Sequence, residues 1–304
     1  MPIDQSQPAF VPLSAACAPQ IIAYARAASG RLCDKTAGNL FMWARQNETH
    51  YARFAGMDLL RSRWDGRLIY ACPSGDGDFA AAIEAIAADA QAHGEPLVFA
   101  SLTAEEADRI AALRGGTRRT DLAWSDYLYP ADALAALAGR AYHGPRNHIN
   151  SFLSAYPEHT VSPLTQDDLP AVGAFFAEQR IAADDGTPSA AAEAEAAADM
   201  LDLYPALRDA GAPLCGCVLR IDGEIAGFSI GEVLGDTLYV HIEKGNPACR
   251  GVYPMLVREF ARMGLAAGAS LINREEDDGN PGLRRSKQAY RPSALLDKYM
   301  LLCP

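Results

Sequence analysis

Alternating apolar and polar positions give the clearest β signal in the third quarter of the chain. Short turns between such alternating runs are typical of antiparallel hairpins, so this stretch predicts a three-stranded meander. The runs and the turn pairs between them are 214–221, Asp222-Gly223, 225–233, Gly235-Asp236 and 237–243.

Apolar residues at helical spacing, with capping signals, predict helices on both sides of this meander. Asp78 caps one predicted helix, and Thr103 with Glu106 forms the capping box of another. Residues 39–56 are interpreted as strand and loop. The predicted helices are 78–94, 103–115, 164–181, 189–211, 252–268 and 282–290, and the remaining strands are 67–77, 96–101, 269–273 and 298–303.

This order of elements predicts the fold class α/β (α+β), with mixed, mostly antiparallel twisted sheets flanked by helices. A doubly wound parallel sheet is disfavoured because the meander is antiparallel. The first half of the chain repeats the order of the second half less clearly. We therefore predict two related domains in tandem, 1–150 and 151–304, with the main site in the second.

Composition limits the classes of function. The 304 residues are 49% apolar and 21% charged, which is the balance of an ordinary globular protein. No apolar stretch reaches the roughly 18 residues of a membrane span. The N-terminus lacks the features of a signal peptide, so a cytoplasmic protein is predicted. A net charge of −11 argues against a general binder of nucleic acid or anionic membranes, so any phosphate-bearing partner needs local basic clusters.

Cysteine and histidine give little support for a metal centre. The seven cysteines form no CxxC pair, and the six histidines are scattered without ligand spacing. Buried thiols in a reducing compartment are the favoured interpretation. No metal site is predicted.

A dense polar segment follows the predicted strand 269–273. Six polar residues, 273–278, are followed by a tight turn and a short helix that carries Arg284, Lys287 and Tyr290. Ligands in α/β proteins bind beyond the carboxyl ends of strands, so the position favours a polar binding site. The alternative is a solvated charged loop.

Two further segments offer anion-binding chemistry. The strand 237–243 leads into a loop with Arg250 and Gly251 before a helix, whose N-terminus presents N–H groups to an anion. Basic residues also cluster at the predicted domain junction, where a phosphate or carboxylate could be held. The alternatives are an ordinary strand–helix connection and a solvent-facing helix end. The junction cluster consists of Arg140, His143, Arg146 and His148, with Asn147 and Asn150 beside it.

The order of these motifs identifies a family resemblance over about residues 39–302. W-x-DYLYP, GPRNHIN, HIEKGN and INREEDDGNPGLRRSKQAYRP together resemble the bacterial DUF2156 family, which is similar to the C-terminal catalytic domain of phosphatidylglycerol lysyltransferase. The resemblance implies two GNAT-like domains in tandem, akin to tRNA-dependent aminoacyltransferases of the FemABX group. The family's membrane-embedded members carry a transmembrane flippase region, which has no counterpart in this sequence. A lipid acceptor is therefore less favoured than a small one.

This sequence departs from the pattern at two points. Pro145 replaces a lysine that many relatives carry before Arg-Asn. The loop around Gly251 lacks the glycine spacing of a GNAT pyrophosphate loop, and Pro247 and Pro254 remove N–H donors. Coenzyme A binding at this loop is therefore less favoured.

The resemblance also implies roles for individual residues. Tyr290 is placed as the proton donor to the leaving group, and Glu243 is a candidate base for the acceptor amine. The residues predicted to bind substrate or donor are Arg146, Asn147, His241, Lys244, Arg250, Gly251, Tyr253, Asn273, Glu275, Glu276, Asp277, Arg284 and Lys287.

The leading hypothesis is an acyl- or aminoacyltransferase. It would move its group from aminoacyl-tRNA or acyl-CoA to a small amine or hydroxyl acceptor, and no further cofactor is expected. One alternative is a non-catalytic GNAT-like protein that binds a small polar ligand. A weaker alternative is a peptidoglycan- or lipid-modifying enzyme that a partner recruits to the membrane.

Overall fold

The computed structural model describes residues 7–28, 30–183 and 188–304. The chain folds as two compact units, each built on its own mixed sheet. The first unit is Met1–Ser125 together with Asp297–Pro304, and the second is Asp126–Leu296. In the described part of the chain, no helix is both long and apolar enough to cross a membrane.

The strands and helices are numbered in chain order. The strands are β1 (Val11–Pro12), β2 (His50–Phe54), β3 (Met57–Trp64), β4 (Arg67–Tyr70), β5 (Val98–Leu102), β6 (Thr117–Arg119), β7 (Asp126–Pro130), β8 (Thr160–Pro163), β9 (Leu214–Ile221), β10 (Glu224–Leu234), β11 (Thr237–Gly245), β12 (Leu271–Asn273), β13 (Ala294–Leu296) and β14 (Tyr299–Leu302). The helices are α1 (Ala18–Ala27), α2 (Ala37–Met42), α3 (Phe79–Ala92), α4 (Ala104–Arg114), α5 (Ala131–Ala136), α6 (His143–Ala155), α7 (Leu169–Ala183), α8 (Pro188–Asp209), α9 (Val252–Ala266) and α10 (Pro281–Ala289).

The first unit has the strand order β1-β2-β3-β4-β5-β14-β6. All neighbours are antiparallel except β4 and β5, which α3 connects. Asp78 caps α3 by accepting the Ala81 N–H, and the predicted capping box of Thr103 and Glu106 at the start of α4 is confirmed. Ile83 and Phe99 lie in the core between helices and sheet.

The second unit has the strand order β13-β7-β12-β11-β10-β9-β8. The predicted meander of β9, β10 and β11 is confirmed as an antiparallel set, and β11 and β12 are parallel neighbours connected by α9. The core includes Phe152 of α6 and Phe260 of α9, together with Tyr129 of β7. The predicted class, a mixed sheet flanked by helices in each half, is therefore confirmed.

The division between the units differs from the predicted boundary at residue 150. Strand β7 pairs with β12 and β13, so the second unit begins at Asp126. Strand β14 lies between β5 and β6, so the C-terminus belongs to the first unit rather than to the second. The strand partners of such short segments depend on contacts that are distant in sequence, and periodicity does not report them.

The interpretation of 39–56 as strand and loop is wrong for its first residues. Residues 37–42 form α2, which Thr36 caps by accepting the Asn39 N–H, and the strand begins only at His50. A short apolar run such as 40–43 fits a strand or a buried helical turn equally well.

Candidate functional site

A polar site lies where the parallel strands β11 and β12 stop pairing. The two strands are paired only from Thr237 to Tyr239, because β12 ends at Asn273. Strand β11 continues to Gly245 with β10 as its partner. The loop 274–280 and helix α10 follow β12 directly and bring their side chains to this end of β11.

Glu243 of β11 forms a shielded ion pair at this position. Arg274 Nη2 donates to Glu243 Oε1 at 2.9 Å, and the two side chains are only 11% and 13% exposed. The Arg274 guanidinium carbon also lies 5.1 Å from the ring centroid of Tyr290, at the end of α10. The two residues predicted to move protons therefore share Arg274 as a neighbour.

Burial controls the proton affinities in this cluster. It raises the pKa of Glu243, although Arg274 and Lys287 oppose the rise. Burial also raises the pKa of Tyr290 to about 12, with Arg274 again opposing it. Tyr290 is therefore a neutral phenol at neutral pH, and Glu243 binds a proton more readily than a surface glutamate does.

A β-bulge at His241 separates His241 from Glu243. Ile230 pairs with Ile242 while Gly231 pairs with Val240, so His241 is the extra residue on β11. Residues two apart in a regular strand share a face, and a bulge changes that alternation. The two side chains consequently have different neighbours. Gly231 permits the close approach, because a Cβ there would lie 2.0 Å from the Tyr239 carbonyl oxygen.

His241 is held between two carboxylates. Its Nε2 lies 3.0 Å from Glu232 Oε1, and its Nδ1 lies 2.8 Å from Glu275 Oε1. The His241 and Glu232 side chains are fully buried. Burial lowers the pKa of His241, but both carboxylates outweigh it and raise the pKa to about 9. Both ring nitrogens of the imidazolium are thus engaged by carboxylates, and His241 holds Glu275 in place; a role of His241 in ligand binding stays a prediction.

Lys287 organises the loop after β12. Its buried ammonium donates to the carbonyls of Arg274 at 2.5 Å, Glu275 at 3.1 Å and Glu276. Its own backbone carbonyl accepts from the Tyr129 hydroxyl at 2.9 Å. The ammonium of Lys287 thus holds the loop together through these carbonyls, and its predicted contact with a donor stays a prediction.

Asp277 and Asn273 brace the same loop. Asp277 accepts two bonds from Arg284, at 2.7 and 2.8 Å, and one from the Tyr127 hydroxyl at 2.6 Å. The hydrogen bond with Arg284 lowers the pKa of Asp277. Asn273 donates to Asp126 at 2.9 Å and accepts the Glu275 N–H at 2.7 Å. The structure therefore gathers most of the predicted 273–287 residues, but into a supporting network.

The loop before α9 offers few anion-binding groups. Gly251 has φ +89°, and a Cβ there would lie 2.4 Å from the carbonyl oxygen of His148 in α6. Its neighbour Val252 already donates to Cys249, and Pro254 has no N–H. Arg250 and Tyr253 are exposed beside this helix end. Glycine is thus required here for close packing of two helices.

The remaining predicted ligands have protein partners. Arg146 Nη1 donates to the carbonyls of Leu137 and Gly139, at 2.6 and 2.7 Å, which caps the end of α5. The exposed side chain of Asn147 lies 3.3 Å from the His143 ring in the same helix. Lys244 forms an ion pair of 2.6 Å with Glu193 of α8. The junction cluster therefore stays a prediction as a phosphate site.

Sequence patterns do not identify three residues of the site. Arg274 was seen only as part of a charge run, yet it contacts both Glu243 and Tyr290. Glu232 and Ser229 lie within β10, whose sequence is typical of a buried strand. A charged residue within an apolar strand was the available signal for Glu232, since such residues are rarely buried unless paired.

Comparisons with known proteins agree with this architecture. Residues 26–302 match the family model described as phosphatidylglycerol lysyltransferase, C-terminal. A conserved protein of unknown function from Bacteroides thetaiotaomicron VPI-5482 is 29% identical, with a TM-score of 0.89 over 98% of this chain and 100% of that one.

Two more distant solved structures show the fold alone. The L-PGS of Bacillus licheniformis is 16% identical, with a TM-score of 0.66 over 93% of this chain and 91% of that one. FemX is 10% identical, with a TM-score of 0.59 over 97% of each chain. An uncharacterized protein of Mycoplasmoides gallisepticum is 24% identical over 178 residues, which are 58% of this chain and 56% of that relative. The match thus spans little more than half the length of that relative.

The family match covers nearly the whole chain, and the two mixed sheets agree with the fold that the family motifs implied. The chain therefore belongs to the family of the phosphatidylglycerol lysyltransferase C-terminal domain, with two GNAT-like units in tandem.

Proposed function

We propose that this protein transfers an acyl or aminoacyl group to a small amine or hydroxyl acceptor. The proposal rests on the cluster of Glu243, Arg274 and Tyr290. This cluster lies where β11 extends beyond its pairing with β12. It combines a base and an acid with raised proton affinities in a largely shielded site. The fold of the family, which includes transferases, supports the same class of reaction.

Glu243 is proposed as the general base for an amine acceptor. An amine is protonated in water, so a proton must leave before its nitrogen attacks the carbonyl carbon of an ester or thioester. Burial raises the pKa of Glu243, which makes its carboxylate a better proton acceptor. One amine proton passes to Glu243, the nitrogen lone pair forms the new bond to the carbonyl carbon, and the π pair of the carbonyl moves to its oxygen.

Tyr290 is proposed as the general acid. When the carbonyl reforms, the bond to the leaving oxygen or sulfur breaks, and the departing atom takes the proton of the Tyr290 hydroxyl. A phenol with a pKa of about 12 carries that proton at neutral pH. The nearby Arg274 guanidinium favours the phenolate that remains. The second proton of the attacking nitrogen leaves to solvent as the amide forms, and solvent returns a proton to the phenolate.

Aminoacyl-tRNA is the donor that we favour over acyl-CoA. The resemblance to the FemABX group supports it. The loop before α9 supports it as well, because Val252 and Pro254 offer no free N–H to a pyrophosphate. The acceptor is proposed to be small and amine-bearing.

Transfer assays with the purified chain test this proposal. A panel of charged tRNAs and acetyl-CoA is offered with a broad set of amines and hydroxyl compounds. Turnover should fall at least about 100-fold in Glu243→Gln and in Tyr290→Phe, the usual contribution of a general acid or base. The matched controls Glu259→Gln and Tyr142→Phe should retain activity. Absence of turnover with either donor across the panel contradicts the proposal.

The non-catalytic alternative has one specific observation in its favour. The Glu243 carboxylate is already occupied by Arg274 at 2.9 Å. Thermal-shift screening separates the two functions. Stabilisation by aminoacyl-nucleotide analogues or CoA supports the transferase, and stabilisation only by a small metabolite supports the binding protein.

A further inference from the structure

Two buried polar atoms on either side of Glu243 lack ordinary hydrogen bonds. Ser229 is fully buried, and its Oγ makes no hydrogen bond of ordinary geometry with any described residue. Arg274 Nη1 is likewise buried without such a bond, although Nη2 of the same guanidinium binds Glu243. Buried donors and acceptors in native proteins are almost always satisfied, so each of these atoms requires a partner.

The register of the sheet puts both atoms beside one carboxylate. Ser229 of β10 is the direct antiparallel partner of Glu243 on β11. Residues paired in this way have Cβ atoms about 5 Å apart on the same face. Arg274 approaches the same carboxylate from the loop after β12. The hydroxyl and the guanidinium are therefore both neighbours of the Glu243 carboxylate.

The other neighbour of Ser229 satisfies it only weakly. On β9, Ser229 pairs with Cys217. Burial raises the pKa of this thiol to about 12, and hydrogen bonding to Ser229 opposes the rise. Cys217 is thus a neutral thiol, which is only a weak donor and acceptor.

We infer that a water molecule is bound between Ser229 Oγ, the Glu243 carboxylate and Arg274 Nη1, and that Ser229 positions the base through this water. Three polar partners are the usual number for a buried water. The water accepts from Arg274 and donates to Glu243 and to Ser229. Ser229 is fully buried, whereas the Glu243 and Arg274 side chains retain slight exposure, through which an acceptor can reach the carboxylate.

The positioning role rests on the proposed transferase function, whereas the water site does not. A donated hydrogen bond stabilises the charged form of a carboxylate. Loss of the water therefore makes Glu243 harder to ionise. The ionisable groups facing Glu243 that share in its titration are Arg274 after β12, Lys287 and Tyr290 of α10, Tyr129 of β7 and Cys217 of β9.

High-resolution crystallography of the full chain tests the site without any assay of activity. One water peak is expected about 3 Å from Ser229 Oγ, Glu243 and Arg274 Nη1. That peak should be lost in Ser229→Ala. A Ser229 hydroxyl bonded directly to protein with no peak beside it, or density for a larger ligand, overturns the inference even if transfer is observed.

The pH dependence of transfer tests the positioning role. In Ser229→Ala, the acidic limb of the rate profile should move to higher pH by about 0.5 to 1 unit. The control Ser162→Ala should leave the limb in place, because Ser162 is a strand serine with a direct partner in Arg220. An unchanged limb in Ser229→Ala overturns the positioning role. Absence of all turnover contradicts the proposed function, and the crystallographic result then still decides the water site.

Discussion

Replacement of His241 tests whether its buried charge stabilises the second unit. His241 lies between Glu232, which is fully buried, and Glu275, at 3.0 and 2.8 Å. In His241→Gln the site keeps its shape but loses its positive charge, and both carboxylates lose the imidazolium that lies between them. Removal of one partner from a buried ion pair costs about 3–5 kcal/mol. We expect a loss of this size near neutral pH.

The sign of the pH dependence follows from the pKa of His241. The two carboxylates raise it from 6.5 to about 9 against the effect of burial. The rise is roughly 2.5 pH units, which at 1.36 kcal/mol per unit corresponds to about 3 kcal/mol. A raised histidine pKa stabilises the folded state fully below pH 6.5. This contribution is lost as pH rises from 6.5 through 9, so the difference between wild type and His241→Gln should shrink over that window.

Urea denaturation at several pH values measures this difference. All three tryptophans lie in the first unit, so their fluorescence reports that unit, whereas far-UV circular dichroism reports both. The exposed His148→Gln serves as the matched control. Adding Glu232→Gln to His241→Gln should restore part of the lost stability, because one buried charge is removed. A difference that stays constant from pH 6.5 to 9, or a loss seen by fluorescence alone, refutes the reasoning.

Three further substitutions test local contacts by denaturant unfolding, two in the second unit and one in the first. Gly251→Ala should lower the free energy of unfolding more than Gly268→Ala does. Both glycines have positive φ, but only at Gly251 would an added Cβ lie 2.4 Å from a backbone oxygen; equal losses of stability contradict this. Lys287→Met should lower the free energy of unfolding by about 2 kcal/mol or more because three partly buried carbonyls lose their donor, whereas Arg285→Met, at an exposed position, should be nearly neutral. Thr103→Ala should lower the free energy of unfolding by about 1 kcal/mol through loss of the cap of α4. An unchanged stability would show that the cap is dispensable.

Sequence patterns predicted the elements that depend only on residues close together in the chain. The meander of β9 to β11 was found because alternation and tight turns act over a few residues. The capping box at Thr103 was found for the same reason. The pairing of β7 with β12, and the insertion of β14 between β5 and β6, were not found. These contacts join segments far apart in the chain, and any of several apolar runs could have filled the positions.

The sequence alone also determined the family and the general position of the site. Its motifs placed Glu243 and Tyr290 at the end of a strand and of a helix, where the structure finds them. Only the tertiary structure decided which charges meet. The bulge at His241 assigns it to Glu232 and Glu275 while Glu243 contacts Arg274. Charges of both signs are dense in this part of the sequence, and a shift of one residue in strand register changes the face of every side chain beyond it. The sequence therefore indicates that a polar site exists, and the tertiary structure determines which charged residues contact one another within it.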